Sequence, residues 1–383
     1  MNFEKRYDVI VAGAGIAGVA AALECSRSGL KTVLVEKTIF TGGLATAGLV
    51  NIYLPLCDGK GTQVTYGIAE ELLHASIWYG PGEVPVEWKE AYAKEEPSRY
   101  RAFFAPASFV LALDELLSQA RVELWLDTLV SQPIMEGDRV TGVEVENKSG
   151  RGALRAGCVI DATGDADIAY RSGAACVEGG NRLGIWAQEL SAEAQNPVNA
   201  VWLDGSPEPV WHGTRGKEVT AFVLEGRKML LEHYKRQYAE KGPEWRGKLF
   251  PTALPAMAQF RTTRRIIGQT VMEDNQYGRR VEDSVGLVGD WRKAGYVWEI
   301  PYRSLVPEKI RGLLAAGRCI SSGGDAWQVT RVIPAAALTG QAAGIAATLS
   351  IRRNTTADRV DARMIQQKLD ENGIPYHIEN FGV

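Results

Sequence analysis

The stretch VIVAGAGIAGVAAALECSRSGLKTVLVEK, residues 9–37, restricts this chain more than any other feature. Tyr7–Ala12 is short, apolar and followed at once by glycines, the pattern of a buried parallel strand. Ile16–Ser28 reads as a helix stopped by Gly29, and Lys31–Glu36 as a second strand. Gly13, Gly15 and Gly18 stand in a Gly-x-Gly-x-x-Gly frame. In such a unit Gly13 permits the tight turn, Gly15 lets the backbone approach a pyrophosphate, and Gly18 lets helix and strand pack closely. The pyrophosphate would rest on free N–H groups at the helix start. Glu36 is placed to accept hydrogen bonds from a ribose diol and would repel a 2′-phosphate, which disfavours NADP. Strand, helix, second strand and terminal acid are all in place, so the unit is read as a dinucleotide site.

Several classes of function are excluded early. The 383 residues carry 45% hydrophobic and 23% charged side chains, with a net charge of -3. That is an ordinary globular balance with no basic surface for nucleic acid or an anionic membrane. The start MNFEKRYDVI has no apolar leader core, so no secretory signal is expected. VIPAAALTGQAAGIAATL, from Val332, holds Pro334 and Gln341 and is read as a packed interior helix rather than a membrane span. Five cysteines, Cys25, Cys57, Cys158, Cys176 and Cys319, lie scattered without a Cys-x-x-Cys pair. A reducing cytoplasm is expected, with no metal site and no exchanging dithiol.

The order of segments discriminates between dinucleotides. A simple NAD domain continues with further strand–helix units. Here a Gly- and Thr-rich insertion follows Glu36, then helices in TYGIAEELLHASIWYG and PASFVLALDELLSQA. A strand starts at Val122, and LVSQPIM, RVTGVEVE and GALRAG follow as a three-stranded antiparallel meander. Only then comes CVIDATGDAD, a buried strand ending sharply at Gly164. From Asn181 to about Pro301 the character changes, and six of the ten tryptophans fall there (Trp186, Trp202, Trp211, Trp245, Trp291, Trp298), which marks a cap. Glu218–Lys241 is expected to be its long helix. The expected fold is α/β: a Rossmann-like domain of parallel sheet plus meander, with an inserted α+β substrate domain. The expected division is 1–75, 105–180 and 305–355 for the discontinuous dinucleotide domain, 76–104 and 181–304 for the cap, and 356–383 for a helical tail. This topology suits FAD. An NAD-dependent dehydrogenase, or a flavoprotein using FAD structurally, remains the alternative.

The ordered blocks DVIVAGAGIAGVAAA, VLVEK, GGLATAGL, GIAEELL, VTGVEVE, VIDATGDADIA, RTTRRIIG, IPYRSLVPE, LLAAGRCIS and RVIPAAALTGQAAGIAA resemble those of the FAD-dependent oxidoreductase family, with a glutathione-reductase-type FAD fold. The resemblance implies that Gly13, Gly15, Ile16, Ala17, Gly18, Glu36 and Lys37 hold the ADP half of FAD. It implies that Gly42, Gly43, Ala45 and Thr46 lie along the pyrophosphate and flavin, and that Leu129 or Val130 meets the adenine through backbone groups. Ala162, Thr163 and Gly164 would shape the turn near the ADP moiety. Gly317 and Arg318 stand where such folds commonly carry Gly-Asp. Val332 and Ala335 would open the last long helix toward the flavin pyrimidine, where a positive helix end stabilises a reduced, negatively charged ring.

The implied function is transfer of a hydride from a small organic substrate to flavin N5, with reoxidation by a further acceptor. Candidate catalytic residues are His212, Arg261 and Tyr302. His212 is a candidate base beside Trp211. Arg261, Arg264 and Arg265 offer a clamp for a carboxylate or phosphate, Arg261 and Arg265 sharing a face at helical spacing. Tyr302 and Arg303 precede the return to the first domain and are expected near the crevice. Cys57 reads as an ordinary loop or buried thiol. The cap tryptophans suit a polar, ring-containing substrate as well as simple packing.

Overall fold

The computed structural model describes residues 3–84, 102–193 and 198–381. Five parallel strands form the central sheet, in the spatial order Leu313–Ala315, Cys158–Asp161, Val9–Ala12, Thr32–Val35, Glu123–Trp125. Every residue of Val9–Ala12, Thr32–Val35 and Cys158–Asp161 is buried, which explains the unbroken apolar runs. The register pairs Ala12 with Val35 and with Asp161, and Asp161 with Ala315. The carboxyl ends of four strands are therefore level, and ligands of open α/β sheets bind at that edge.

Helix Ile16–Arg27 packs against helix Ile333–Arg352 so closely that small residues are obligatory. A Cβ on Gly340 would stand 2.1 Å from the Ala17 carbonyl oxygen, and one on Gly344 would stand 2.9 Å from that of Ala21. The Ala- and Gly-rich composition of the last long helix is thus a packing requirement, met at some cost in helix propensity.

The expected meander is present as Leu129–Glu136, Arg139–Asn147 and Gly150–Arg155. A fourth strand, Phe3–Arg6, joins it in parallel with Gly150–Arg155. The cap is a three-stranded antiparallel sheet, Val198–Asp204, Gly184–Ser191 and Leu249–Ala253, covered by helix Gly216–Lys241. Phe222, Gly226, Leu230 and Tyr234 recur every fourth residue on that helix and form its buried stripe. Ile185, Ala187, Val201, Leu230, Tyr234 and Leu249 make a small core separate from the main one.

Two expected boundaries differ from the observed packing. Hairpin Ser284–Gly289/Val297–Pro301 was assigned above to the cap. Its Val285, Val288, Trp298 and Ile300 belong to the main core. The terminal helix Ala362–Glu371 buries Ile365 and Leu369 in that same core rather than forming a detached tail. Of the segment 76–104, residues 85–101 lie outside the described residues. No single helix among the described residues is long and apolar enough to cross a membrane.

Candidate cofactor and substrate site

At the carboxyl edge of the sheet, Gly13 turns the chain at φ +97°, a conformation that favours glycine. A Cβ there would stand 2.6 Å from the Ala162 carbonyl oxygen, so Gly13 also sets the spacing to the neighbouring strand. A Cβ on Gly18 would fall 1.8 Å from the Gly13 carbonyl oxygen. Gly15 is different: a Cβ there meets nothing within 4 Å. Its open side faces the start of helix Ile16–Arg27, where no side chain caps the free N–H groups. No protein atom requires glycine at this point, and a pyrophosphate fits that space and those donors.

Glu36 closes the neighbouring strand, nearly buried. One carboxylate oxygen accepts from the Ala14 N–H and the other from the Thr38 N–H, both at 2.8 Å. Each oxygen keeps a further lone pair, which fits a ribose diol. The Thr128 N–H donates to the Glu36 carbonyl at 3.0 Å, bringing Leu129 beside this corner. The loop after Glu36 returns to the turn: the Gly42 N–H donates to the Ala14 carbonyl at 2.7 Å, and a Cβ on Gly43 would lie 3.0 Å from the Gly15 Cα. Two glycine pairs thus meet where the chain must come nearest to the cofactor. These residues fit the ADP half and pyrophosphate of FAD.

Asp161, fully buried at the end of its strand, shapes the opposite wall. One oxygen accepts from the Thr163 N–H and hydroxyl (3.1 and 2.6 Å), the other from the Ile168 and Ala169 N–H groups (2.9 Å each). Burial pushes its pKa up, against the pull of those bonds. The cap meets the loop after Glu36 directly. The Ala256 N–H donates to the Ala47 carbonyl at 2.8 Å. The Gln259 amide donates to the carbonyls of Gly48 (2.5 Å) and Trp186 (2.9 Å), while its oxygen accepts the Trp186 N–H at 2.9 Å. Beside this junction lies an open pocket of about 100 Å³, lined by Ile185, Phe222, Gly226, Arg227, Met257 and Gln259 among others.

The family model for FAD dependent oxidoreductases matches residues 8–201 and 183–369. The chain belongs to this family. Among curated relatives it is 30% identical over 171 residues to a digeranylgeranylglycerophospholipid reductase of Picrophilus torridus, covering 42% of this chain and 40% of that one. It is 38% identical over 96 residues to a thioredoxin reductase of Ureaplasma parvum, covering 24% of this chain and 30% of that one. The chain thus spans well under half the length of these relatives. The solved structure of a geranylgeranyl bacteriochlorophyll reductase-like protein from Thermoplasma acidophilum aligns over 99% of this chain and 86% of that chain, at 17% identity and a TM-score of 0.49.

In this FAD dependent oxidoreductase Gly13, Gly15, Ile16, Ala17, Gly18, Glu36, Gly42, Gly43, Ala162, Thr163 and Gly164 lie together at one edge of the sheet. Lys37 is exposed beside it. Ala45 and Thr46 are in the adjoining loop, but the Thr46 hydroxyl is used internally, on the Thr41 carbonyl. The Val130 carbonyl accepts from Arg171 at 3.2 Å, which leaves a further lone pair on that oxygen. Gly317 touches the first helix, where a Cβ would lie 2.8 Å from the Ala17 Cβ. Val332 caps the last long helix without a side-chain bond, and Ala335 is buried in its first turn.

Other candidates are displaced. The Arg318 guanidinium bonds the Gly164 carbonyl (2.7 Å), the Phe260 carbonyl (2.6 Å) and Asp165 (2.7 Å). The side chain is a clamp between turn and cap. Tyr302 is buried away from the crevice: its hydroxyl donates to the Ala357 carbonyl at 2.6 Å and burial raises its pKa, with Cys158 nearby. Cys158 opens the strand that Asp161 closes, so Tyr302 lies at the end of the sheet remote from the cofactor edge. The Arg303 side chain pairs with Asp283 at 2.9 Å. His212 pairs through Nδ1 with Glu218 at 3.0 Å, closing the start of the cap helix. Arg261 and Arg265 share no helix face, because Arg264–Ile266 is a strand paired with Cys176–Glu178. Arg264 pairs with Asp167 at 2.8 Å and lies 3.9 Å from the Tyr170 ring centroid. Cys57 is buried and its thiol pKa is pushed up by burial, which makes it inert.

The sequence reading missed Asp161 and Gln259. An acid closing an otherwise apolar strand was the available signal for Asp161. Gln259 carries no local signal, since its partners Gly48 and Trp186 are remote.

Proposed function

We propose that the protein is a redox enzyme acting on a small organic substrate held between the FAD domain and the cap. The carrying observation is the junction of Ala47 and Gly48 with Ala256 and Gln259, which sets the cap cavity against the flavin loop. When bound, FAD supplies a two-electron acceptor for a substrate hydride. The chain's own residues bind and orient. The Gly15 turn and the uncapped helix start would hold the pyrophosphate, and Glu36 the ribose. The uncapped first turn at Val332 would offer its N–H groups and positive end to the flavin pyrimidine, which favours negative charge there. Gln259 fixes the cap strand at Trp186 over the flavin loop.

The Trp186 and Trp202 rings stand 5.2 Å apart across neighbouring cap strands, and Trp202 is about half exposed. This pair supports a polar, ring-containing substrate. All five cysteines are unpaired, which supports a cytoplasmic setting. The test is anaerobic titration of the purified holoprotein with sugars, aromatic compounds, aliphatic amines and hydroxy acids, reading the visible flavin absorbance. Bleaching by at least one donor class is expected. Stoichiometric FAD that no donor bleaches would refute the redox reading and favour a structural use of the cofactor.

A further inference from the structure

Two walls flank the glycine turn at the carboxyl edge of the sheet. One is the compact loop 43–48: the Gly48 N–H donates to the Gly43 carbonyl at 3.1 Å, and a Cβ on Gly43 would lie 3.0 Å from the Gly15 Cα. The other is the turn 162–165, whose Ala162 carbonyl oxygen would stand 2.6 Å from a Cβ on Gly13. Among the described residues no hydrogen bond joins these walls directly. They are joined through the turn at 13–15 and, a second time, through residues 259–264. Gln259 donates to the Gly48 carbonyl at 2.5 Å. The Phe260 carbonyl accepts from Arg318 at 2.6 Å, and the same guanidinium bonds the Gly164 carbonyl and Asp165, each at 2.7 Å. The Thr263 hydroxyl donates to the Gly164 carbonyl at 3.2 Å. Arg264 donates to the Asp165 carbonyl (2.9 Å) and to the Asp167 carboxylate (2.8 Å). One short segment therefore grips both walls.

The same segment holds the cap. The Gln259 amide accepts the Trp186 N–H and donates to the Trp186 carbonyl, each at 2.9 Å. The Phe260 ring centroid lies 4.3 Å from that of Phe222 on the cap helix. The Asn181 side-chain oxygen accepts the N–H groups of Arg261 (2.7 Å) and Thr262 (2.9 Å). Phe260, Thr262, Thr263 and Arg264 are buried. Bonds at that depth face little competition from water, and a broken one leaves an unpaired polar group. A buried guanidinium such as that of Arg264 stands only because it is bonded and paired. The strap thus has little slack. A change in the separation of the walls must either move the cap or break a buried bond.

We propose that residues 259–264 couple the cofactor groove to the cap, with Gln259, Arg264 and Arg318 as positioning residues. The separation of the two walls would be set by the seated FAD, and the strap would carry that setting to Trp186 and Phe222. Phe222 and Gln259 both line the pocket at the cap junction. That pocket is then completed by cofactor binding rather than by the cap alone. The linkage is reciprocal: loosening the strap weakens FAD by the factor by which FAD steadies the cap. This coupling involves cofactor and cap only, and it holds whatever the substrate or acceptor.

Hydrogen exchange read by mass spectrometry on apoprotein and holoprotein tests this, with fluorescence titration of FAD alongside. The reporter is the cap helix around Leu230 and Tyr234, which belong to the cap's own core. In the native protein these amides should exchange about fivefold or more slowly with FAD bound. Gln259→Leu removes the bonds to Gly48 and Trp186 at similar side-chain size. It should abolish most of that difference and weaken FAD by a matching factor. Thr263→Val loses only the bond to Gly164; it should act in the same direction by a smaller factor, and it carries the test if Gln259→Leu does not fold. Equal exchange of the native cap with and without FAD overturns the proposal. So do variants that speed exchange equally in apoprotein and holoprotein while binding FAD with native affinity, because the strap would then serve stability alone. Neither readout involves an electron donor, so the result is independent of the redox reading.

Discussion

Replacing Gly15 with alanine separates the cofactor's demand on the fold from the fold's demand on itself. The backbone at Gly15 has φ -64° and ψ 174°, which alanine adopts without strain, and the new methyl group meets no protein atom within 4 Å. Loss of unfolded-state freedom should stabilise the apoprotein by about 0.4–1 kcal/mol. Alanine is a poorer helix N-cap than glycine by roughly 0.5–1 kcal/mol. The two nearly cancel, so the apoprotein should melt close to the native temperature. The methyl group would occupy the space left for the pyrophosphate. Forcing one such group into a filled site costs about 1–3 kcal/mol, or roughly 5- to 150-fold in affinity. Fluorescence titration of apoprotein with FAD measures this, with thermal melts alongside. Gly18→Ala is the contrast, because its Cβ would collide with the Gly13 carbonyl at 1.8 Å and destabilise apoprotein and holoprotein alike. Native FAD affinity in Gly15→Ala would refute the placement of the pyrophosphate. An apoprotein as unstable as Gly18→Ala would refute the claim that Gly15 is kept for a ligand.

Two further outcomes follow from the displaced candidates. Tyr302→Phe should cost about 1–3 kcal/mol in urea unfolding by leaving the Ala357 carbonyl without its donor, while flavin content and turnover stay native; a tenfold loss of turnover would return Tyr302 to the crevice. The His212 backbone N–H and ring, then Arg215, hold the Glu218 carboxyl down from 4.5 to about 2. A depressed carboxylate stabilises the fold above its unfolded pKa and loses that contribution as pH falls through the folded one. Acid unfolding of the native protein should therefore steepen between pH 4.5 and 2 relative to Glu218→Gln, and identical profiles would refute the pairing.

Sequence was most informative where structure is local. The glycine turn, its helix and the two flanking strands follow from contacts between near neighbours, and the meander from two tight turns. The failures share a cause in long-range pairing. RTTRRIIG has helical spacing of its arginines, yet Arg264–Ile266 is drawn into an extended form by Cys176–Glu178. Phe3–Arg6 is polar and short, and only its parallel partner Gly150–Arg155 makes it a strand. Hairpin Ser284–Pro301 reads as cap by its position in the chain, but Trp298 and Ile300 are apolar for the main core. Arg318 occupies a position that suggested the cofactor, whereas its partners Gly164, Asp165 and Phe260 come from two other segments.

The close crossing of Ile16–Arg27 and Ile333–Arg352 has a consequence for synthesis. The glycine motif leaves the ribosome long before its partner: Gly340 and Gly344, which Ala17 and Ala21 require, are made more than three hundred residues later. Strand Leu313–Ala315, at the sheet's edge beside Cys158–Asp161, is also late. The nascent chain therefore carries a recognisable cofactor signature through more than three hundred residues of elongation without a closed place to put the cofactor. Flavin capture becomes a late event, and a ribosome-arrested chain ending before Ile333 should expose the apolar flank of its first helix to chaperones rather than retain FAD.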